Sequence, residues 1–459
     1  MKKVRSLLLA LPLMGIALAA APGDARACGG CVVPPDENTQ VTGHRMIFSL
    51  SMTQTTLYDQ IEYSGNPESF AWFLPIQGTV DVALSSDALF AFLGSDTSVQ
   101  VLAPPLNCPD PPDGCYYGEE DGGFGSGAGG GGGGSGDPNG GVTVNVQEVV
   151  GPYETVQLEA NDPNALLNWF ALHGYAVPDD VKPVISAYQQ EGFGFLAMKL
   201  VPGQGVQAMR PVRITTDGAG LSMPLRMVAA GTGAITPITL FVMAEGRYQA
   251  QNFPNVAFDP SQIVFHWDDY TSNYDVLVKN LFDMSQGFGW LTQSASPYAK
   301  SDLEWRINQV IDFNPGTTGY GDPDNGISEY DDAAADLNTL FAGMNEGNVW
   351  LTRMHAQLAR PALANDLNLE AEPTQSQVSR FLQATVSDGT PPPCPDYSWC
   401  YDDGSNGGDF DGVGQDNQDY VSGKGTCSVQ RPGTNDSAAW LFAGLGLAAA
   451  VVTLRRRRR

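Results

Sequence analysis

The alternation of apolar and polar positions is clearest over residues 44–75, where it predicts three short strands in succession. The apolar positions that define these strands are Met46, Phe48 and Leu50, then Leu57, Ile61 and Tyr63, then Phe70, Trp72 and Leu74. The composition of residues 64–67 predicts a turn before the third strand. A meander of this kind has one solvent-exposed face and one apolar face, and later parts of the chain must cover the apolar face.

Helical and strand patterns alternate through most of the remaining chain. The predicted helices are 85–93, a segment that begins at Asp162 and ends at Gly174, 181–191, 273–285, 302–313 and 331–344. The further predicted strands are 98–103, 142–150, 154–158, 195–201, 208–215, 221–228, 236–243, 349–354 and 377–385. The pattern therefore predicts an α+β fold, with antiparallel sheets and several covering helices, in one large domain or in two lobes with the second from about residue 255.

Two segments lack this patterning. Residues 118–141 are glycine-rich, and we interpret them as a long insertion within one sheet because a strand pattern resumes directly afterwards. Residues 386–436 are rich in Pro, Gly, Asp and Ser, which is typical of an unstructured stalk. The patterned part is accordingly one uncharacterised domain over residues 28–385.

The first 27 residues have the three parts of a signal peptide. A basic start precedes an apolar run over residues 7–21, which is too short to cross a membrane comfortably. Ala25 and Ala27 then place small residues before Cys28, where cleavage is expected. The predicted mature chain is secreted and begins outside the cytoplasm, where a disulfide bond can persist.

The chain has seven cysteines, and six of them lie in pairs that are close in sequence. This spacing predicts three local disulfides, namely Cys28–Cys31, Cys108–Cys115 and Cys394–Cys400. The first pair also has the spacing of a redox or metal motif. A redox pair would open a helix, whereas this one runs into two prolines, and no second pair completes a zinc site, so a structural disulfide is favoured.

Composition and charge narrow the class of partner. The length of 459 residues allows two or three domain-sized units, and a hydrophobic content of 42% is sufficient for a buried core. The formal net charge is −27, which disfavours nucleic acid and anionic membranes as partners and favours cations. Solubility outside the cell is the simpler interpretation of this charge.

One acidic segment in the predicted stalk has the chemistry of a calcium loop. Its carboxylates alternate around glycine at Asp409, Asp411, Asp416 and Asp419. Calcium binding requires several hard oxygen ligands on one ion, and these side chains supply them. The segment lacks the complete spacing of an EF-hand, so a solvated acidic linker is the alternative. No other cofactor is predicted.

The sequence contains none of the common catalytic motifs. Its four histidines, His44, His173, His266 and His355, do not have the spacing of paired metal ligands. A nucleophile elbow, a phosphate-binding loop and a dinucleotide fingerprint are also missing from the sequence. His266 lies near Asp268, but no nucleophile is indicated beside them. We therefore predict no catalytic residue.

Several phrases of the chain, in the same order, resemble the domain-of-unknown-function family 2330 of secreted bacterial proteins. They are YSGNPESFAWFLPI (63–76), VGPYETVQLEANDPNALLNWFALHGYAVPDD (150–180), YQQEGFGFLAMKL (188–200), RPVRITTDGAGLSMPLRMVAAG (210–231) and LTRMHAQLARPALANDLNLEAEP (351–373). The resemblance spans about residues 27–385 and includes the ACGGC start. It implies an extracytoplasmic domain with no known activity and no catalytic residues to transfer. The glycine-rich insertion departs from the family pattern.

The end of the chain resembles a second pattern, the myxobacterial C-terminal sorting tail (MYXO-CTERM). Its parts are Cys427-Ser428, an apolar span over residues 438–454 and the arginines 455–459. Seventeen apolar or small residues are the lower limit for a transmembrane segment, and the arginines would stay on the cytoplasmic side. The resemblance implies that a membrane protease cuts the tail and that Cys427 then holds the protein at the surface through lipid. A simple membrane anchor over residues 437–459 is the alternative.

These observations leave two hypotheses for the function. The first is a binding or structural module that is anchored at the outer cell surface after transit through the inner membrane. The second is an envelope hydrolase whose site is assembled from scattered residues. A deep pocket with converging polar side chains would favour the hydrolase.

Overall fold

The structure is a computed structural model that describes residues 31–32, 40–64, 71–109, 143–160, 162–173, 177, 179, 181–201, 209–228, 233–313 and 329–394. The strands are β1 (Cys31–Val32), β2 (Gln40–Leu50), β3 (Gln54–Ser64), β4 (Ala71–Ile76), β5 (Asp81–Leu84), β6 (Gln100–Leu102), β7 (Thr143–Val150), β8 (Tyr153–Glu159), β9 (Gly194–Leu200), β10 (Val212–Asp217), β11 (Ser222–Met223), β12 (Ile235–Glu245), β13 (Tyr248–Ala250), β14 (Asn255–Val256), β15 (Val264–His266), β16 (Thr271–Ser272), β17 (Trp290–Pro297), β18 (Val349–Ala359), β19 (Leu367–Ala371), β20 (Phe381–Gln383) and β21 (Val386–Asp388). The helices are α1 (Asp87–Asp96), α2 (Pro163–Leu172), α3 (Lys182–Gln190), α4 (Leu225–Val228), α5 (Tyr274–Met284), α6 (Lys300–Phe313) and α7 (Glu329–Leu340). Within these described residues, no helix is long and apolar enough to cross a membrane.

Two large sheets organise the described chain. The eight-stranded sheet has the order β14-β17-β18-β12-β2-β3-β10-β5, and the five-stranded sheet has the order β1-β4-β9-β8-β7. Neighbouring strands are antiparallel except for the parallel pairs β12–β2 and β14–β17 in the larger sheet. The predicted α+β class is confirmed, and the larger sheet is mixed rather than purely antiparallel.

The two large sheets pack face to face through one apolar core. Met46 and Phe48 on β2 belong to this core, together with Trp72 and Leu74 on β4. All four side chains are at most 7% exposed. Burial of apolar surface is the dominant favourable contribution to folding, so this interface between the sheets is the main apolar contact of the fold.

The outer face of each large sheet is covered by helices. Ile47, Tyr58 and Phe241 of the eight-stranded sheet pack in one cluster with residues of α1, α6 and α7. Phe73 and Phe195 of the five-stranded sheet pack in another cluster with residues of α2 and α3. The order of layers is therefore helices, sheet, sheet, helices, and both sheets are buried on both faces.

The predicted three-stranded meander is wrong at its third strand. β2 and β3 form an antiparallel pair, with His44 opposite Ile61, but β4 pairs with β9 in the other sheet. The prediction assumed one wet face, whereas Ile47 is fully buried on the face opposite Met46. A strand pair that is apolar on both faces needs two covering layers, and β4 belongs to one of those layers.

The helix starts follow the capping signals of the sequence, and one predicted strand does not form. Ser86 caps α1 by accepting a hydrogen bond from the backbone N–H of Leu89, and Asp162 caps α2. Residues 221–228 were expected to form a strand. They form the two-residue strand β11 followed by the short helix α4 instead, because Pro224 between them cannot donate to a strand ladder.

A buried set of charges joins α7 to the eight-stranded sheet and to the start of α1. Asp336 on α7 accepts hydrogen bonds from Ser85 Oγ at 2.8 Å, from the backbone N–H of Ser86 at 2.7 Å and from Arg213 Nη1 at 2.7 Å. Glu329, the first residue of the same helix, accepts a hydrogen bond from the backbone N–H of Ala88 at 3.0 Å. The name α7 charge cluster is used below for six charged residues, namely Asp87, Arg210, Arg213, Glu329, Asp332 and Asp336.

Burial changes the acidity of the α7 charge cluster. Desolvation raises the pKa of Glu329 to about 7, and Arg210, whose Nη2 lies 2.8 Å from Glu329 Oε2, opposes this rise only in part. Desolvation likewise raises the pKa values of Asp87 and Asp336 to about 6. Between the unfolded and folded pKa values of these three carboxyls, the folded protein therefore binds more protons than the unfolded chain does.

This difference predicts a pH-dependent stability. Because the pKa of Glu329 is higher in the folded protein, its contribution is present below the unfolded pKa of 4.5 and is lost as the pH rises through about 7. Each unit of difference between the folded and unfolded pKa values changes the free energy of unfolding by about 1.4 kcal/mol. Glu329→Gln should therefore flatten the decline of the thermal midpoint between about pH 5 and pH 8, measured by calorimetry.

The matched control is Glu304→Gln on α6, where the side chain is exposed. This variant should keep the wild-type dependence on pH. If the Glu329→Gln and Glu304→Gln proteins decline in parallel, burial does not raise the pKa of Glu329 in the folded protein.

A disulfide joins Cys108 to Cys394, with their Cα atoms 5.4 Å apart. This pairing differs from the predicted pairs Cys108–Cys115 and Cys394–Cys400, in which Cys115 and Cys400 lie outside the described residues. The physical reason is the parallel pairing of β6 with β20, which directs both following segments toward the same end of a small sheet. A pairing of strands that are nearly 300 residues apart is not visible in cysteine spacing.

We expect peptide mapping of the non-reduced protein to recover a cross-link between Cys108 and Cys394. Cys108→Ser should lower the free energy of unfolding by about 2–4 kcal/mol, because a long loop in the unfolded chain loses its constraint. Cys115→Ser is the matched control and should leave this cross-link in place. A recovered Cys108–Cys115 peptide would restore the local pairing.

Candidate functional site: a cleft between the two sheets

A cleft of about 470 Å³ lies between the two large sheets. Its apolar lining comes from Phe48 on β2, Leu57 on β3 and Ile214 on β10, and from Leu74 and Ile76 on β4. The volume is within the range of small-molecule sites, and a mostly apolar lining is typical of them. A second depression, of about 540 Å³, lies along the surface of α5 and does not involve the two sheets facing each other.

One side of the cleft is polar, and its side chains are held by neighbouring groups. Tyr188 donates a hydrogen bond to Asp366, and Arg226 Nε donates to the other oxygen of the same carboxylate at 2.9 Å. The Arg226 guanidinium also lies 3.9 Å from the centre of the Tyr188 ring. Burial, followed by the nearby Asp366 charge, raises the pKa of Tyr188 well above its usual range. Tyr188 therefore lines the cleft as a fixed hydrogen-bonding side chain and does not act as an acid or a base near neutral pH.

The loop over residues 217–222 forms the rim of the cleft. The backbone N–H of Gly218 donates to Thr53 O at 2.8 Å, and Thr55 Oγ1 donates to Gly218 O at 2.9 Å. Gly218 has a φ of +81°, a conformation that residues with a Cβ adopt rarely. Leu221 on the same loop is 44% exposed, so the rim presents apolar surface to solvent.

A much smaller cavity, of about 20 Å³, lies behind the wall of the cleft. Leu57, Leu74 and Pro224 line both spaces and separate them. The small cavity also contains His44 and Asp59, whose Nδ1 and Oδ1 atoms are 3.3 Å apart. Both side chains are buried, at 2% and 3% exposure. No motif in the sequence marks this pair, since the two residues meet only through the pairing of β2 with β3.

The other three histidines have structural contacts. His173 stacks on Trp169 with 3.9 Å between ring centroids. His266 Nδ1 lies 2.6 Å from Asp388 Oδ1, so its carboxylate partner is not Asp268. Desolvation lowers the pKa of His355 to about 4, and its Nδ1 is 3.1 Å from Ile238 O. His355 is thus neutral at physiological pH.

Residues 22–370 match the bacterial protein family described as "uncharacterized protein conserved in bacteria (DUF2330)". The chain belongs to the DUF2330 family. No curated protein and no solved structure matches the chain. The DUF2330 region includes every residue that lines the cleft, from Phe48 to Asp366, and every residue that lines the small cavity.

Most residues that the sequence singled out lie outside this DUF2330 region or outside the described residues. The calcium hypothesis at Asp409, Asp411, Asp416 and Asp419 falls on residues that are not described, as do Cys28, Cys115, Cys400 and Cys427, the insertion 118–141 and both chain ends. Cys31 lies in β1, opposite Trp72. At the start of the predicted stalk, β21 pairs with β15. Among the described residues, no group of three or more His, Cys, Asp and Glu side chains is placed to hold a metal ion.

Proposed function

We propose that this DUF2330 protein is an exported protein of the cell envelope that binds a small, largely apolar molecule in the cleft between its two sheets. The observation that carries the proposal is the cleft of about 470 Å³, with an apolar floor and one polar side. Sites of this size and composition bury most of a small ligand and fix its orientation through a few polar groups.

The charge of the cleft and of the whole chain limits the class of ligand that can bind there. Asp217 lies exposed on the rim, and the chain as a whole carries a net charge of −27. An anionic ligand would be repelled by this field. The ligand class that fits is therefore a neutral or cationic molecule with an apolar body.

Binding is favoured over the alternative of an envelope hydrolase by the state of the polar groups in the cleft. Tyr188, Asp366 and Thr55 are each engaged in hydrogen bonds within the protein. A hydrolytic site needs a nucleophile or an activated water held by a base that is free to take its proton. The engaged groups instead provide a fixed surface against which a ligand can pack.

The proposed location depends on the two ends of the chain. The basic, apolar and small-residue segments over residues 1–27 support export, and a cleft that opens outside the cytoplasm would meet envelope molecules. The apolar span at 437–454 and the five arginines after it support retention in the inner membrane until a sorting protease cuts the tail. Cys427 would then attach the protein to the outer surface through lipid.

Binding in the cleft can be tested with N-phenyl-1-naphthylamine, a neutral apolar dye whose fluorescence rises in apolar sites. Ala219→Trp places a large side chain on the rim loop that lines the cleft. We expect the dye to bind the wild-type chain saturably and the variant at least about tenfold more weakly, a loss of 1.4 kcal/mol or more.

The matched control is Ala171→Trp, an equally large change at an exposed position of α2 that does not line the cleft. Its dye affinity should equal that of the wild type. Equal affinities for all three proteins would show that the dye binds elsewhere and would remove the support for the cleft as the binding site.

The attachment through Cys427 gives a separate test in the native cell. Moving the arginines into lipid costs roughly 2.5–3.5 kcal/mol each, so the tail should stop in the inner membrane in the wild type and in the Cys427→Ala variant. Export of Cys427→Ala should be intact, whereas its processing or its retention at the surface should be lost, as measured by cell fractionation and surface labelling. Ser428→Ala is the neighbouring control. Normal trimming and surface retention of Cys427→Ala would overturn the proposed attachment.

A further inference from the structure

The small cavity beside the cleft has a lining that the proposed ligand-binding function does not use. Besides His44 and Asp59, it is lined by the thioether side chains of Met46, Met223 and Met227. These methionines come from β2, β11 and α4, and each is at most 4% exposed. Its volume of about 20 Å³ is enough for a single atom or one water molecule and too small for an organic ligand.

His44 is held so that one ring nitrogen is left for another partner. Nδ1 lies 3.3 Å from Asp59 Oδ1, whereas Nε2 is buried and has no hydrogen-bond partner. When Nδ1 donates its hydrogen to Asp59, a lone pair on Nε2 is left for a metal ion.

This arrangement of carboxylate and imidazole is the one that protein metal sites use. A histidine that binds a metal usually donates its second N–H to a carboxylate or carbonyl, which fixes the tautomer and increases the basicity of the binding nitrogen. Asp59 occupies this supporting position relative to His44. The rest of the lining consists of three methionines and seven apolar residues without a ligand atom. The thioether of methionine is a soft ligand, and soft ligands select Cu(I) over divalent ions that prefer oxygen.

The charges in the cavity also fit a monovalent cation. The Asp59 side chain is buried, and burying a carboxylate is costly unless a cation or strong donors compensate it. A histidine binds a metal ion as the neutral imidazole, and the thioether of methionine carries no charge. One monovalent cation on His44 Nε2 would therefore balance the Asp59 charge, whereas a divalent cation would leave a net positive charge in an apolar core.

We propose that this cavity is a buried site for one soft monovalent metal ion, Cu(I), with His44 Nε2 and the sulfur atoms of Met46, Met223 and Met227 as ligands. Asp59 orients His44 and balances the charge of the ion. None of the four proposed ligands lines the cleft, which shares only Leu57, Leu74 and Pro224 with this cavity.

The proposal can be tested with Ag(I), a redox-inert probe with the same charge and ligand preference as Cu(I). The full chain would carry [methyl-¹³C]methionine, and its free thiols would be alkylated beforehand so that cysteine does not bind the probe. Twelve methionines are present, and one equivalent of Ag(I) should shift the methyl resonances of Met46, Met223 and Met227. The resonance of Met198, which lies in the same core but does not line the cavity, should stay in place.

The second test measures the affinity for Cu(I) by competition with a chromogenic chelator in the absence of oxygen. Met223→Leu conserves volume and should weaken binding, and the matched control Met198→Leu should not, since exchanges between Leu and Met in a core cost little stability. Asp59→Asn should weaken binding by roughly 10–100-fold, the range found for carboxylates that support a metal-binding histidine. His44→Gln should weaken it further.

Several outcomes would overturn the proposal. Shifts that are confined to exposed methionines such as Met52 and Met284 would place the ion on the surface. No binding at one equivalent would leave the cavity as a site for a single water molecule. Equal losses in Met223→Leu and Met198→Leu would show that the core, rather than a specific ligand set, responds to the substitution.

Discussion

Burial of the eight-stranded sheet on both faces is the constraint on which the rest of the structure depends. Ile47 and Met46 are neighbours on β2, face opposite sides, and are both buried. A sheet that is apolar on both sides is stable only when a layer covers each side. The five-stranded sheet covers one side, the helices α1, α6 and α7 cover the other, and the five-stranded sheet in turn requires α2 and α3.

The eight-stranded sheet has two interfaces, and they differ in the polar groups that they bury. On the helical side, charged groups enter the interior as a connected set, in which Asp336 has three hydrogen-bond donors and Arg210 contacts both Glu329 and Asp332. Such a set is costly to break, because each partner would be left buried and unpaired. It fixes the position of α7 and needs no ligand. We therefore assign it a structural role.

The side between the sheets has the opposite character. It is mostly apolar, and its polar groups include the buried His44–Asp59 pair, Thr55 and the hydrogen-bonded Tyr188 and Asp366. Isolated polar groups in an apolar surrounding are typical of binding sites, because the low dielectric strengthens each polar contact that a ligand makes. The cleft and the small cavity are therefore both products of the way the two sheets face each other.

The sequence by itself determined the local elements. Helix starts at Ser86 and Asp162 follow from capping chemistry, and the α+β class follows from the periodicity, because these signals involve residues within a few positions of one another. Only the tertiary structure decided which strands pair. The transfer of β4 to the second sheet, the Cys108–Cys394 disulfide and the meeting of His44 with Met223 all join distant residues. Such contacts depend on which apolar faces cover one another, and local patterns carry no information about the partner.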